Sequence, residues 1–228
     1  MISLSKRLSM AAELVPPCSI LADVGTDHGY LAAWLLQSGR AQTVFASDIG
    51  EGPLRSARET AERFGLEASL RTILADGLNY SSSDLAEVIT ICGMGGETMI
   101  SILSAAPWTK DGRQLILQPQ SKLHELEAWL KREGYAVQNA RLCVEAGKCY
   151  LALSVLGGGI WKLSAEEWLV KNRDAYLQDY LSREHNKAEF ALSGLQKALT
   201  NRGDDIAALK RRLNQLSVYE KEMQSWQS

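Results

Sequence analysis

Five short apolar runs recur along the first half of the chain, and each ends in a polar or glycine-rich turn. They cover residues 20–24, 42–48, 70–75, 88–92 and 114–118. A helical pattern follows each of them, weakest over 78–87. Strands that alternate with helices in this way predict a parallel sheet covered on both faces. A ligand of such a sheet sits at the carboxyl ends of the strands. The unusual residues collect at those ends: 23–29, Asp48, Asp76-Gly77, 93–96 and 118–120.

A helix is expected over 121–132, closed by Glu133-Gly134. Two β-rich runs follow, 135–144 and 149–156, joined by Glu145-Ala146-Gly147-Lys148. So tight a link implies an antiparallel pair. Five parallel strands closed by an antiparallel pair make a seven-stranded, mostly parallel sheet. That is the strand inventory of a Rossmann-like class I methyltransferase; plain dinucleotide folds lack the last reversal.

The first strand runs into Asp23-Val24-Gly25-Thr26-Asp27-His28-Gly29, and Tyr30 opens a helix. A buried strand, a glycine turn and a helix start form a ligand cradle. The spacing D-x-G-x-x-x-G differs from the G-x-G-x-x-G of dinucleotide enzymes. An acid at its first position would oppose a pyrophosphate but suits an ammonium or sulfonium group, which points to S-adenosylmethionine. Asp48 ends the next strand 25 positions later. An acid about 20 positions beyond such a turn takes ribose hydroxyls in nucleoside-binding βαβ units.

Before the first strand, residues 3–15 fit a short amphipathic helix stopped by Pro16-Pro17. After the last strand, Gly157-Gly158-Gly159 reads as the domain boundary, dividing the chain into 1–158 and 159–228. Ser164-Ala165-Glu166-Glu167 is a capping box. A helical pattern continues from there to Leu199, and residues 200–204 read as a turn, with Asp204 or Asp205 capping the next helix. Ile206, Leu209, Leu213 and Leu216 then fall at coiled-coil spacing. The expected tail is an antiparallel helical hairpin, free to grip RNA, to dimerise or simply to fold on itself.

A net charge of −2 exerts no global pull on nucleic acid. Cys18, Cys92, Cys143 and Cys149 show no C-x-x-C spacing, so zinc ribbons and redox motifs are not expected, and neither is any metal. The first residues lack a signal-peptide apolar core, and no run approaches the ~18 apolar residues of a membrane span. The expectation is a cytoplasmic protein without a membrane partner.

Leu4-Ser5-Lys6-Arg7-Leu8, the stretch from Ala22 to Leu31, Ile91-Cys92-Gly93-Met94-Gly95-Gly96 and Gln118-Pro119 resemble the bacterial tRNA (adenine-22)-N1-methyltransferase family, often called TrmK. The resemblance runs over essentially the whole chain. It implies S-adenosylmethionine as methyl donor, tRNA as partner and adenine N1 as acceptor. The family often has Gln-Pro-Asn where this chain has Gln118-Pro119-Gln120, which keeps an amide with a longer reach. The rival classes are a methyltransferase for a small molecule or protein, and a non-catalytic cofactor-binding or coiled-coil interaction protein.

Adenine N1 carries an in-plane lone pair and no proton, so no covalent nucleophile is required. A carboxylate that stabilises the developing cation is useful, and Asp27 is the candidate catalytic residue; its other possible role is to cap the following helix. Cofactor contacts are expected from Asp23, Gly25, Thr26, His28, Gly29, Asp48, Ile49, Asp76, Gly77, Gly93, Met94 and Gly95. Asp23 either faces the methionine end or merely holds the turn; Asp48 either binds ribose or caps a helix. His28 fits a structural loop histidine better than a base. Lys6, Arg7, Gln118 and Gln120 are the candidate substrate contacts, with Lys6 and Arg7 on phosphates or on a solvated face. The oligomeric state is left between a monomer and a weak dimer.

Overall fold

A computed structural model describes residues 2–197 and 202–226. It divides into two compact units, Met1–Trp168 and Leu169–Ser228. The first holds a seven-stranded sheet in the order β3-β2-β1-β4-β5-β7-β6. Its strands are β1 (Cys18–Val24), β2 (Ala41–Asp48), β3 (Leu70–Leu74), β4 (Val88–Met94), β5 (Gln114–Pro119), β6 (Tyr135–Glu145) and β7 (Lys148–Gly157). The β1, β2, β3, β4 and β5 ladders are parallel, and β7 pairs antiparallel with both β5 and β6. This is the expected class I methyltransferase arrangement.

The apolar runs form the centre because both faces are covered. Leu21, Ile89, Ile91, Leu115, Ile116 and Leu117 have no exposed surface. The helices are α1 (Lys6–Leu14), α2 (Tyr30–Gln37), α3 (Glu51–Phe64), α4 (Gly96–Ala105) and α5 (Leu123–Arg132). In α1, Ser5 caps the start by accepting from the Leu8 N–H, while Ala11, Ala12 and Val15 are fully buried. Strand order reverses between β1's two neighbours, β2 and β4, so a crevice opens there at the carboxyl ends.

Several expectations change. Residues 78–87 hold only a 3-10 turn, Ser83–Leu85, so no helix separates β3 from β4. The glycine boundary is a packing seam. A Cβ on Gly157 would lie 2.1 Å from the Thr109 carbonyl oxygen, and one on Gly159 would lie 2.7 Å from the Ala136 Cβ. Residues 159–168 remain tied to the first unit. There the Ala165 N–H donates to Glu127 Oε1 (2.7 Å), and Trp168 Nε1 donates to the Val137 carbonyl (3.0 Å). The capping box is present, with Ser164 and Glu167 exchanging hydrogen bonds at the start of α6 (Ala165–Lys171).

The expected continuous helix to Leu199 is broken after α6. Arg173 turns left-handed (φ 49°), and Asp174 Oδ1 accepts from the Tyr176 N–H. The second unit then consists of α7 (Leu177–Lys197) and α8 (Gly203–Ser225). Arg212 reaches Glu184 (3.8 Å), and Arg173 lies 5.3 Å from the Trp226 ring. Contacts that run forward on one helix and backward on the other mean an antiparallel hairpin. Ile206, Leu209 and Leu213 are partly covered and Leu216 is fully buried, as the seam requires. Neither Asp204 nor Asp205 is a cap; both lie in the first turn of α8. Thr200 and Asn201 of the expected turn, and Leu199 before it, lie outside the described residues. Among the described residues no helix is long and apolar enough to cross a membrane.

Candidate active site

At the reversal point the ends of β1, β2 and β4 enclose a cleft of about 350 Å³. That volume suits a nucleoside-sized ligand. Its wall includes Asp23, Gly25, Thr26, Asp27 and His28 from the first turn, Asp48 from the second strand end, and Gly93 and Met94 from the fourth. Arg7 comes from α1 and Gln120 from the end of β5. Eight residues expected in the cofactor or catalytic roles, and two of the expected substrate contacts, are therefore brought together.

Asp23 is the electrostatic centre. It is 3% exposed, with Oδ1 accepting from the Thr90 hydroxyl (2.6 Å) and Oδ2 from the Thr26 hydroxyl (2.9 Å). Burial pushes its carboxyl above the usual range, the two hydroxyl donors pull it back, and the Asp48 charge adds to the rise. A buried carboxylate held by neutral donors favours a cationic ligand. Gly25 has φ +75°, and a Cβ there would lie 2.3 Å from Met94 Cε. Only glycine lets the chain turn and leaves the cleft open at this point.

Asp27 is placed differently from a helix cap. The residue before α2 is Gly29, which turns left-handed, and no side chain caps that helix. Asp27 itself takes φ 49°, a left-handed conformation that Asp tolerates better than most residues with a side chain. Its carboxylate is 74% exposed and lies 3.7 Å from His28 Nε2. The His28 and Tyr30 rings stack with centroids 5.4 Å apart. Asp48 does not cap α3 either: Oδ1 accepts from the Gly50 N–H (2.8 Å), closing the turn.

Gly93 (φ +81°) forms a bulge in β4, where the pairing with β5 shifts between Cys92 and Met94. A bulge re-aims the strand end, and here it turns Met94 toward Gly25. Cys92 also lines the cleft. Burial pushes its thiol far above the ordinary range, Asp23 adds to this, and Arg7 opposes it. The sulfur therefore stays protonated and is a poor nucleophile.

Several expected residues lie outside the lining. Gly29 starts α2 against Ala57, and Gly95 precedes α4 with Ser121 beside it. Asp76 and Gly77 follow β3, where the Gly77 carbonyl accepts from the Ser47 hydroxyl (3.0 Å). Ile49 is 76% exposed beyond β2 and, with the exposed Leu74 opposite Asp48, makes an apolar rim. Lys6 does not line the cleft; it is exposed, and its backbone N–H donates to Glu145 Oε1 (2.7 Å). Gln118 is fully buried, and neither end of its amide has a hydrogen-bond partner among the described residues. It is paired across the ladder with Cys92 and does not line the cleft.

Four lining residues were not foreseen: Leu8, Tyr30, Leu31 and Cys92. Glu145 was missed as well; Oε2 lies 4.0 Å from Arg7 Nε. Among the described residues no group of three or more His, Cys, Asp or Glu side chains is placed to hold a metal ion.

Residues 4–153 match the methyltransferase domain family model. A Bacillus subtilis (strain 168) tRNA (adenine(22)-N(1))-methyltransferase is 36% identical over 158 residues, 69% of this chain and 66% of that protein. The match thus spans just under two thirds of this curated relative's length. The crystal structure of the B. subtilis M1A22 tRNA methyltransferase TrmK is 30% identical, with TM-score 0.82, covering 96% of this chain and 99% of that one. A structure of Streptococcus pneumoniae Sp1610 in complex with S-adenosyl-L-methionine is 35% identical, with TM-score 0.78, covering 92% and 100%. With the methyltransferase sheet and its strand-end cleft already in place, the chain belongs to the TrmK family of tRNA (adenine(22)-N1)-methyltransferases.

Proposed function

We propose that the protein transfers a methyl group from S-adenosylmethionine to N1 of adenine 22 in tRNA. The observation that carries this is the cleft itself: a buried Asp23 held by two threonine hydroxyls, with Asp27 and Arg7 lining the same space. The relatives' activity supplies the acceptor.

The donor fits the residues present. It supplies an electrophilic methyl group on a sulfonium and leaves as a neutral thioether. Asp23 offsets the positive charge of the methionine end, and Gly25 leaves room for the ligand to approach the backbone. Asp48, using one oxygen for its own turn, accepts from the ribose hydroxyls with the other. The apolar rim of Ile49 and Leu74 covers the adenine of the cofactor, with Asp76 at its amino edge.

The acceptor adenine enters from the open side, flipped out of its stack. N1 attacks with its lone pair and releases no proton, so no general base is needed. Asp27 accepts from the exocyclic amine and stabilises the cationic product ring. Its exposure in the free protein leaves it available to the incoming base. Arg7 holds a flanking phosphate, and Gln120 contacts the base edge. The protonated Cys92 does not compete for the methyl group. Cytoplasmic tRNA is the partner.

The test is to treat unmodified tRNA with the protein and labelled donor and then map the modified nucleotide. N1-methyladenosine at position 22 is the expected product. Label in a different nucleotide, or none in tRNA, overturns the proposal.

A further inference from the structure

A second concavity, of about 320 Å³, opens beside the cleft between the start of α2 and one face of α3. His28 and Tyr30 line both spaces, so this stacked pair is a shared wall. The Thr60 hydroxyl donates to the His28 carbonyl (2.8 Å), fixing that wall to α3. On the α3 side lie Ser56, Glu59, Arg63 and Phe64. The Arg63 guanidinium rests 5.5 Å over the Phe64 ring and pairs with no carboxylate among the described residues. Glu59, one turn earlier on the helix, likewise pairs with no cation among them.

This combination suits a nucleotide. An aromatic wall offers a stacking face to any base, and an unpaired guanidinium offers a contact to its phosphate. Glu59 accepts from a base amino group. A protein segment would not require the free cation, and a purely apolar ligand would not require Glu59. The wall shared with the cleft also restricts the occupant. Whatever fills the groove lies directly beside the target base, and an RNA strand that presents one nucleotide in the cleft must pass its neighbour somewhere adjacent.

We infer that the groove between α2 and α3 seats the nucleotide next to the target adenine, with its base against the outer side of the His28–Tyr30 wall and its phosphate at Arg63. This rests on the tRNA reading above. It makes Arg63 a substrate-positioning residue outside the catalytic cleft, and it makes the local sequence or conformation beside the target adenine part of what is recognised.

The test compares wild type, Arg63→Lys and Arg63→Glu in tRNA methylation, together with S-adenosylhomocysteine binding by calorimetry. Arg63→Glu should raise the KM for tRNA about tenfold or more, leave kcat at saturating tRNA within about twofold, and leave S-adenosylhomocysteine affinity unchanged. Its log KM should depend on log salt with a slope shallower by about one, as for the loss of a phosphate contact. Arg63→Lys should restore most of the loss. If wild type methylates tRNA and Arg63→Glu keeps the same KM and salt slope, the groove is not a nucleotide seat. A fall in melting temperature alone, as from losing a cation at the end of α3, overturns the inference equally. If wild type methylates no tRNA at all, the functional proposal fails first, and this one with it.

Discussion

Replacing Asp23 by Asn separates a ligand-binding charge from a structural tie. In the free protein the carboxylate accepts two short hydrogen bonds, from Thr90 (2.6 Å) and Thr26 (2.9 Å). Hydrogen bonds to a charged group contribute about 1.5–3 kcal/mol each. The amide keeps one acceptor oxygen and turns its NH₂ toward the other threonine, whose hydroxyl can accept. Thr90 has a second acceptor in the Ala22 carbonyl at 3.5 Å. The burial cost of the charge disappears at the same time. These terms offset, so the stability of the free protein should change by no more than about 1 kcal/mol, equivalent to roughly 2–4 °C in Tm. Binding has no such offset, because the cationic ligand loses its counter-charge. A loss of about 100-fold in Kd, about 2.7 kcal/mol, is expected when one partner of a buried charge pair is removed.

The pH profile sharpens the test. The Asp23 pKa is raised in the free protein, chiefly by burial. The folded state therefore holds its proton longer than the unfolded chain does. The contribution of this group to stability is fullest at low pH and falls as pH rises from the ordinary carboxylate range to the raised value. A bound cation favours the ionised form, so affinity should rise with pH up to the raised value of the free protein and then level off. Calorimetry with S-adenosylmethionine and S-adenosylhomocysteine at several pH values measures this, with thermal melting of both proteins alongside. Asp23→Asn should flatten the rise. Unchanged affinity, or a Tm drop beyond about 10 °C, would refute the argument and make Asp23 a structural tie.

Three further outcomes follow from the geometry. Gly25→Ala should keep the fold but weaken S-adenosylmethionine binding at least tenfold by calorimetry, because the new Cβ displaces the Met94 methyl at 2.3 Å and the left-handed φ costs about 1–2 kcal/mol. Asp27→Asn should lower kcat about 10²-fold while cofactor affinity stays within about threefold; loss of cofactor binding instead would move Asp27 into the cofactor site. Glu145→Gln keeps an acceptor for the Lys6 N–H but removes the charge beside Arg7, so it should raise the tRNA KM several-fold with an unchanged Tm; an unchanged KM in steady-state assays would show that Arg7 needs no such support.

Strands were legible in the chain because a parallel sheet buried on both faces leaves continuous apolar runs, and the turns that end them carry the chemistry. The predicted core of the site, Asp23, Gly25, Thr26, Asp27, His28, Asp48, Gly93 and Met94, comes from those turns. What was not legible depends on distance or on local competition. Arg7 and Glu145 meet across most of the catalytic unit, and no short window contains both. Gln118 stands at a strand end like the others, yet its amide is fully buried and does not line the cleft, and nothing in its sequence position sets it apart from them. The break at 172–176 was hidden in a helix-favouring stretch. Asn172-Arg173-Asp174 is the signal that could have exposed it, since Asn and Asp compete with helix by bonding the nearby backbone. Glycines 157 and 159 imitated a linker because close packing and flexibility select the same residue.

The bond between the Lys6 N–H and Glu145 also sets an order of events during synthesis. The two residues stand 139 positions apart, yet one holds the start of α1, and with it Arg7, at the cleft. At 5–20 residues per second, the ribosome needs roughly 7–28 s to make the second after the first. Throughout that interval the amino-terminal helix lacks its anchor, and β7 has yet to enter the sheet between β5 and β6. A nascent chain can form the glycine turn early, but the arginine wall of the cleft is completed only once the last hairpin has emerged. The reaction centre is thus assembled from the two ends of the catalytic unit, and a truncated chain carries an unfinished one.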